Sequence, residues 1–334
     1  MKVFWLKDSK AGHRNKALGL LRVLRKNTEI ELLECDLEWR WPALRQLLSR
    51  MGRAGLNLPV RWFVRGLPNL TGVDLILSAG GATQWPNAAL AHQSSAKNVF
   101  LGSIRKMSPD AFTLIASHDP VSVELPFFRF DLIPSIVTPE NARLASSEVV
   151  GCSSEDWGLL IGGDGEGIRW STTDYIQLAD TFFSQARQAG VRVWVATSRR
   201  TPVEVEAQVS MLAEQSGLLR AACWFHSREA DSPPLLAMLG ACNRLLVSAD
   251  SMSMTHEAIS SGARVISASP VDSQANSRSF NNLLRLEGLG FLKRQRLDEI
   301  AILTAKPIVG WTRFEGDPSL HLAKAVLTVL GRST

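Results

Sequence analysis

One stretch of the sequence, residues 244–270, combines the residue types that bind an anionic ligand. An apolar run at 245–247 predicts a buried strand, and the polar sequence Ser-Ala-Asp-Ser follows it. A helical pattern then stops at Gly262, and a second strand is predicted at 265–268. Because the polar turn joins the end of a strand to the start of a helix, free backbone N–H groups and the helix dipole favour an anion there.

The side chains of this turn and helix suit a nucleotide. Ser251 and Ser253 offer hydroxyl donors for phosphate, and Asp250 stands beside them. Glu257 follows Ser253 by one helical turn and shares its face, so its carboxylate can accept from ribose hydroxyls. The alternative is structural: Asp250 or Ser251 caps the helix, and Glu257 is a solvated helix residue. For this turn alone, the structural interpretation is favoured.

Two more loops of the second half carry phosphate-binding residue types. A glycine-rich loop follows a predicted strand at 157–161, but it lacks the Lys-Ser/Thr ending of a Walker loop. A serine and two arginines end the predicted strand at 191–196, and guanidinium groups grip diphosphate oxygens in bidentate fashion. Exposed surface ion pairs are the alternative for these arginines. The candidate donor-binding residues here are Gly162, Gly163, Ser198, Arg199 and Arg200.

The first half of the chain offers candidate residues at three strand ends. Gly12 and His13 follow the first predicted strand, and His13 can serve as a general base or simply begin a helix. Gly80 and Gly81 lie in a tight loop after a strand predicted at 73–78, where they let a ligand approach the backbone or only make the turn. Asp119, in a His-Asp pair after another strand, is the second candidate base.

These loops are positioned by an alternating series of predicted strands and helices. The alternation predicts an α/β fold with parallel sheets, divided into a domain at 1–150 and a second domain at 151–334. The final helix is predicted at 321–330. It is counted with the second domain, but it can pack against the first domain. The glycine-rich, arginine and Ser-Ala-Asp-Ser loops then fall on one edge of the second sheet, which is where open α/β sheets bind ligands. Two such domains that face each other would form a cleft.

The composition limits the classes of protein to which this chain can belong. The chain has 334 residues, 45% of them hydrophobic and 21% charged, which is ordinary for a globular protein of two domains. No apolar run reaches the roughly 18 residues that cross a bilayer, and the amino terminus does not resemble a secretory signal. The four cysteines have no CxxC spacing, so neither zinc nor disulfides are expected, and a cytoplasmic location is favoured.

Residues 39–66 differ from the rest of the chain. Arginines alternate with tryptophan, leucine and other apolar residues, and no acidic residue occurs among them. This composition suits the inner face of an anionic membrane or a lipid-linked acceptor. An ordinary helix pair with solvated arginines is the favoured alternative, and nucleic acid is not expected because the net charge is only +5 and no binding motif accompanies it.

Three phrases of the sequence resemble the mitochondrial-fission ELM family. They are DSKAGHRN at 8–15, TSRRTP at 197–202 and SADSMSM at 248–254 with Glu257-Ala258. Plant members of the family are linked to organelle fission, and bacterial members are usually described as candidate glycosyltransferases. The resemblance covers nearly the whole chain, but the family's Asn-Pro-Tyr is replaced near Ser232 and its Pro-Glu-His-Asp is replaced near Pro134.

The resemblance implies a GT-B fold, in which two Rossmann-like domains bind a nucleotide-sugar donor and an acceptor respectively. It also implies no bound metal, so that arginines and a helix amino end would steady the leaving diphosphate. We therefore expect a metal-independent glycosyltransferase, with the nucleotide-sugar as substrate, no cofactor and a glycan or lipid-linked acceptor. A non-catalytic protein that binds a membrane or a protein partner, and a sugar-nucleotide epimerase, are the alternatives.

Overall fold

The computed structural model divides the chain into two units, Met1–Ile136 with Pro318–Thr334, and Val137–Asp317. The structure describes residues 1–53, 58–104, 107–118, 126–149, 151, 155–227, 234–272, 277–300 and 310–332.

The first unit alternates strands with helices. Its strand interiors are nearly continuous apolar runs, as in β1, where Val3, Phe4, Trp5 and Leu6 are all buried. Such runs are typical of parallel strands that are covered on both faces. Its elements in chain order are β1 (Lys2–Lys7), α1 (Ala11–Asn27), β2 (Glu31–Asp36), β3 (Glu38–Trp39), α2 (Arg45–Arg53), β4 (Val64–Arg65), β5 (Leu75–Ala79), α3 (Gln84–Ser94), β6 (Lys97–Leu101), β7 (Leu114–Ser117) and β8 (Phe127–Arg129), with 3-10 turns at Pro42–Leu44, Val60–Trp62 and Pro109–Ala111.

Six strands of this unit form one parallel sheet in the order β2-β1-β5-β6-β7-β8. The chain leaves β1 toward one side to form β2 and then returns to the other side to form β5. The topological switch point therefore lies between β1 and β5, at the carboxyl edge where open sheets bind ligands. β3 and β4 form a separate antiparallel pair.

The second unit repeats this architecture. Its longest helix, α5, begins with a capping box in which Ser171 and Asp174 satisfy each other's backbone N–H groups, and it ends at Gly190 in the left-handed conformation. The elements in chain order are α4 (Pro139–Ser147), β9 (Asp156–Leu160), α5 (Thr172–Ala189), β10 (Val193–Ala196), α6 (Val203–Ser216), β11 (Leu219–Cys223), α7 (Leu235–Ala241), β12 (Cys242–Ser248), α8 (Met252–Ser260), β13 (Arg264–Ser269), α9 (Ser277–Gly288), β14 (Leu292–Arg296) and a 3-10 turn at Leu297–Glu299.

The second sheet has the order β11-β10-β9-β12-β13-β14, and all of its pairs are parallel. This is the strand order of a Rossmann sheet, and its switch point lies between β9 and β12. The last helix of the chain, α10 (Leu320–Val329), belongs to the first unit, where it packs against α1 and β7. Among the described residues, none of the helices combines the length and apolar character that crossing a bilayer requires.

The boundary between the units differs from the predicted division at residue 150. The chain passes into the second unit at Val137, so α4 belongs there. The reason is a close helix contact that the sequence did not indicate: α4 packs on α7 at Gly240, where a Cβ would lie 1.9 Å from the carbonyl oxygen of Ala142. The return of residues 318–334 to the first unit leaves 137–317 as one continuous segment.

Candidate functional site

Backbone N–H groups of the glycine-rich loop bind side chains of the next strand end at the switch point of the second sheet. The Gly162 N–H donates to Ser248 Oγ at 2.7 Å, and the Gly163 N–H donates to Asp250 Oδ2 at 2.7 Å. Ser248 ends β12 and Asp250 follows it in the turn before α8. The loop after β9 is therefore fixed to the loop after β12.

Glycine is required at both positions because the loops touch. A Cβ at Gly162 would lie 2.1 Å from Asp250 Oδ2, and a Cβ at Gly163 would lie 2.3 Å from the Arg200 carbonyl oxygen. Real Cβ atoms do not approach other atoms this closely, so any side chain would push the loops apart. The main role of both glycines is therefore to let the loops pack closely together.

Arg200 joins the third loop to the other two. Its guanidinium group donates to the Asp164 carbonyl oxygen at 3.0 Å and lies 3.3 Å from Asp250 Oδ2. The Ser198 hydroxyl donates to the Gly162 carbonyl oxygen at 2.7 Å. The structure therefore brings the three loops that follow β9, β10 and β12 into one hydrogen-bonded cluster at the carboxyl edge of the sheet.

Asp250 is the buried centre of this cluster. Its side chain is 0% exposed, and Oδ1 has no hydrogen-bond partner among the described residues. We expected Asp250 to contact a ligand; its carboxylate instead holds Gly163 and Arg200 in place. Burial raises the pKa of Asp250 to about 6, although the Gly163 N–H, the Ser248 hydroxyl and the Arg200 charge act in the opposite direction.

The raised pKa of Asp250 predicts a specific dependence of stability on pH. Because the pKa is higher in the folded than in the unfolded chain, protonated Asp250 contributes stability that is complete below about pH 4 and is lost as the pH rises through about 6. The difference corresponds to about 3 kcal/mol. Since Asp250→Asn does not ionise, wild type should lose about 3 kcal/mol of unfolding free energy relative to this variant between pH 4 and 7. Urea unfolding of both proteins at pH 4 and pH 7 measures this loss. An equal change of unfolding free energy in the two proteins would contradict the prediction.

The remaining candidates of the second unit lie outside these contacts. Arg199 is exposed, and no described residue forms a hydrogen bond or ion pair with its side chain. Ser251 is the N-cap residue of α8 and is largely buried, with its carbonyl oxygen accepting from the Thr255 N–H at 3.0 Å. Ser253 is exposed in the first turn of α8, and Glu257 is half-buried one turn further on.

Glu206 is a site residue that sequence reasoning missed. Its buried carboxylate, on α6, accepts backbone N–H groups from Phe225, His226 and Ser227 at 2.8 to 3.1 Å and also binds the Thr197 hydroxyl. Burial raises the pKa of Glu206, but these donors outweigh burial and hold the pKa below its ordinary value. Glu206 therefore fixes the loop after β11 against the arginine loop.

A second polar cluster lies at the switch point of the first sheet. The Asp8 carboxylate, which follows β1, lies 2.7 Å from His13 Nδ1 in the first turn of α1. Gly80, which follows β5, has φ +93°, and a Cβ there would lie 2.1 Å from His13 Nδ1 and 2.3 Å from Asp8 Oδ2. Gly80 therefore makes room for an Asp–His pair, and Asp8 is the member that the sequence analysis overlooked.

The electrostatics of this pair suit a general base. Burial lowers the pKa of His13, and the hydrogen bond and charge of Asp8 oppose burial only in part. Burial raises the pKa of Asp8, but its interactions with His13, together with hydrogen bonds from the Lys10 N–H and the Ser9 hydroxyl, outweigh burial and leave the pKa below its ordinary value. With ionised Asp8 accepting from Nδ1–H, Nε2 of neutral His13 is left to take up a proton. No described residue hydrogen-bonds Nε2.

Three candidates of the first half take no part in this pair. Gly12 lies in the first turn of α1, and a Cβ at Gly81 would meet no atom within 4 Å. Asp119 lies outside the described residues, so its predicted role as a base stays a prediction. Within the part of the chain that the structure describes, no group of three or more His, Cys, Asp or Glu side chains is arranged to hold a metal ion.

Comparison with solved structures places this fold. The UDP-GlcNAc 2-epimerase from Methanocaldococcus jannaschii matches with a TM-score of 0.57 at 12% identity, with 99% of each chain covered. Its complex with UDP-GlcNAc and UDP matches with a TM-score of 0.54 at 12% identity and the same coverage. An apo structure of OtsA matches with a TM-score of 0.52 at 7% identity, covering 100% of this chain and 99% of that chain. Together with the two Rossmann-like sheets, these matches confirm the GT-B fold class.

The particular family is defined by sequence. The family model described as mitochondrial fission ELM1 matches residues 11–301, and the chain belongs to this family. The predicted resemblance is therefore confirmed. A comparison with curated proteins gives no match.

Proposed function

We propose that this protein is a glycosyltransferase that moves a sugar from a nucleotide-sugar donor to a hydroxyl group of a glycan or lipid-linked acceptor. One observation carries the proposal: the loops after β9, β10 and β12 interlock at a Rossmann switch point and leave the side chain of Arg199 exposed. A nucleoside diphosphate is the ligand class that suits free N–H groups, a helix dipole and guanidinium groups together.

Each donor-site residue has a proposed role. Arg199 binds the diphosphate directly, whereas Arg200 adds positive charge while it holds the loops together. The amino end of α8, with Ser251 and Ser253, donates to phosphate oxygens, and the Glu257 carboxylate accepts from ribose hydroxyls. A UDP-sugar is supported as donor because a protein of the same fold, the M. jannaschii epimerase, was solved with UDP-GlcNAc and UDP.

The proposed chemistry needs a base and stabilisation of the leaving group. The acceptor hydroxyl loses its proton to Nε2 of His13, its oxygen forms a bond to the anomeric carbon of the donor, and the bond from that carbon to the diphosphate breaks. The nucleoside diphosphate leaves with the bonding electrons, and Arg199 and Arg200 stabilise its charge. No cofactor besides the donor substrate enters the proposal.

Donor binding is the direct test. Arg199→Ala should weaken nucleoside diphosphate binding about 10- to 100-fold, because a hydrogen bond to a charged group contributes about 1.5–3 kcal/mol. Glu257→Ala should weaken nucleotide binding but leave inorganic diphosphate binding unchanged, since it acts on the ribose. Isothermal titration calorimetry with UDP, UDP-GlcNAc and diphosphate measures both effects.

Arg264→Ala is the matched control for this titration. Arg264 is exposed at the amino end of β13, on the opposite edge of the sheet from the candidate site. Its removal should leave all three affinities unchanged. If Arg199→Ala and Glu257→Ala both bind like wild type, the donor site is assigned wrongly.

A sugar-nucleotide epimerase is the second candidate, and the fold similarity to the M. jannaschii epimerase favours it. An epimerase converts the donor without an acceptor, so analysis of products after incubation with nucleotide-sugars alone separates the two activities. An absence of nucleotide-sugar binding by wild type would instead favour a non-catalytic interaction protein.

A further inference from the structure

The antiparallel pair β3–β4 and the adjoining helix α2 present an unusual exposed surface in the first unit. Trp41 is 53% exposed, Trp62 is 61% exposed and Leu47 is 52% exposed. Exposed arginines occur close to these apolar side chains in the sequence. We call this set the Arg/Trp surface; it consists of Arg40, Trp41, Arg45, Leu47, Arg50, Arg61, Trp62 and Arg65.

The Arg/Trp surface rests on a rigid base. Leu48, Val60 and Val64 from the same segment are buried in the core of the first unit. The ring of Phe63 packs edge-on against the buried ring of Trp85, with centroids 5.6 Å apart, and Trp41 packs edge-on against Phe63. The apolar residues of this segment therefore form two sets: one set is buried in the core, and the other set is exposed to solvent.

The two exposed tryptophans flank the same end of the strand pair. Trp39 lies opposite Val64 in the antiparallel register, and the Arg40 N–H donates to the Phe63 carbonyl oxygen at 2.8 Å. Trp41 follows β3 by two residues, and Trp62 precedes β4 by two residues, so both lie at the same end of the antiparallel pair. Half-exposed indole rings are typical anchors at the boundary between lipid headgroups and acyl chains.

The charges of the surface are free to meet an anionic partner. Arg40, Arg45 and Arg50 form no ion pair with any described residue, and residues 39–66 contain no aspartate or glutamate. The Arg61 guanidinium donates only to the carbonyl oxygens of Leu67 and Pro68, so its charge is not neutralised. Glu38 is the nearest acid in the strand pair, opposite Arg65.

We propose that the Arg/Trp surface docks the protein on a membrane that contains anionic lipid. The arginines complement lipid phosphates, while Trp41, Trp62 and Leu47 bury apolar surface at the interface. A soluble polyanion would satisfy the arginines but would leave these apolar side chains in water. The inference goes beyond sugar transfer, since docking involves none of the proposed donor-site residues or the Asp8–His13 pair.

Vesicle flotation tests the charge contribution. The full chain should bind vesicles of phosphatidylcholine with 30% phosphatidylglycerol and should not bind pure phosphatidylcholine. The triple variant Arg40→Gln, Arg45→Gln, Arg50→Gln should bind about 100-fold more weakly, because each arginine near an anionic surface contributes about fivefold. The control Lys26→Gln, Arg264→Gln, Lys324→Gln loses the same charge from other exposed sites and should bind like wild type. If both triple variants lost the same vesicle affinity, binding would depend on the net charge of the protein, and the proposed role of the Arg/Trp surface would be wrong.

Quenching by brominated lipids tests the apolar contribution. Tryptophan fluorescence of wild type should be quenched by vesicles with bromine on the acyl chains, and Trp41→Ser with Trp62→Ser should abolish this quenching and lower vesicle binding. The control pair Leu144→Ser and Met211→Ser removes exposed apolar side chains elsewhere and should change neither. Urea unfolding and UDP binding check that the variants keep their fold. If single-stranded DNA or heparin binds as tightly as vesicles, and the tryptophan variants bind vesicles like wild type, the surface recognises a soluble polyanion and the lipid proposal is wrong.

Discussion

Replacement of His13 by Asn is expected to lower kcat about 100- to 10,000-fold, the range that a general base contributes. His13 has the properties of such a base. Its Nδ1 lies 2.7 Å from Asp8 Oδ2, so the ionised carboxylate keeps the proton on Nδ1. Burial lowers the pKa of the imidazole, so that His13 is neutral at pH 7. Because the proposed role of His13 is to take a proton from the acceptor and not to bind the donor, nucleotide-sugar affinity should change little. Turnover assays and calorimetry on one preparation separate the two effects.

The pH profile assigns the base to His13 and not to another group. A neutral imidazole is the active form, so kcat should fall on the acid side of the His13 pKa, which lies below the ordinary value of 6.5. Asp8 raises the His13 pKa. Asp8→Asn should therefore shift the acid limb to still lower pH while it lowers kcat. A variant that lowers kcat without moving the limb would place the effect in folding or in another residue.

Two neighbouring glycines supply a matched pair for this prediction. Gly80→Ala would place a methyl group 2.1 Å from His13 Nδ1 at φ +93°, so it should separate Asp8 from His13 and reproduce the loss in kcat. Gly81→Ala places its methyl group in open space and should remain active. If both alanine variants turn over like wild type, the Asp8–His13 pair is not the base, and Asp119 becomes the next residue to replace.

The strands that sequence analysis located most directly are buried apolar runs. β1, β5 and β12 are runs of apolar residues with both faces covered, and their composition alone indicates them. The elements that the sequence analysis missed include α3, α4, α9, β3, β4 and β14. β14 is LKRQR, an edge strand with four polar or charged residues, so no apolar pattern indicates it. β14 is a strand because it pairs with β13, and a pairing with a distant part of the chain cannot be read from the local sequence.

The candidate site was predictable to the level of the loops but not of the contacts. Parallel strands place their carboxyl ends on one edge, which is why the glycine, arginine and Ser-Ala-Asp-Ser loops could be expected together. Which side chains turn inward depends on packing. A threonine directly before a proline is a pattern typical of a helix cap, but Pro202 is the N-cap residue of α6, and Thr201 Oγ1 instead accepts from the Ser198 N–H at 2.9 Å. Asp250 likewise turns into the cluster because Gly163 and Arg200 give it partners.

The second large effect is expected at Gly163. Gly163→Ala would place its methyl group 2.3 Å from the Arg200 carbonyl oxygen and 2.5 Å from Arg200 Cβ, both of which are fixed parts of the chain. Relief requires the arginine loop to move away, which also separates Asp250 from its two partners. Nucleoside diphosphate affinity should fall about 100-fold or more, because two charge-assisted contacts of about 1.5–3 kcal/mol each are displaced.

Gly163→Ala should also lower the free energy of unfolding by about 1–3 kcal/mol, the usual effect of overpacking. The control is Gly288→Ala at the end of α9 in the same unit, where the added methyl group meets no atom within 4 Å. The control should bind UDP like wild type and be equally stable or slightly more stable, because alanine restricts the unfolded chain. Calorimetry and urea unfolding of the three proteins give both quantities.

The two measurements on Gly163→Ala distinguish a binding site from a structural joint. If the loops only hold the sheet together, the alanine variant loses stability, and the fraction that remains folded binds UDP with the affinity of wild type. If the loops form the donor site, affinity falls even under conditions where the variant is fully folded, because Arg199 and Arg200 are displaced together. Unchanged affinity in folded Gly163→Ala would therefore remove the geometric basis for a nucleotide site at the β9–β12 switch point, whatever binds elsewhere on the protein.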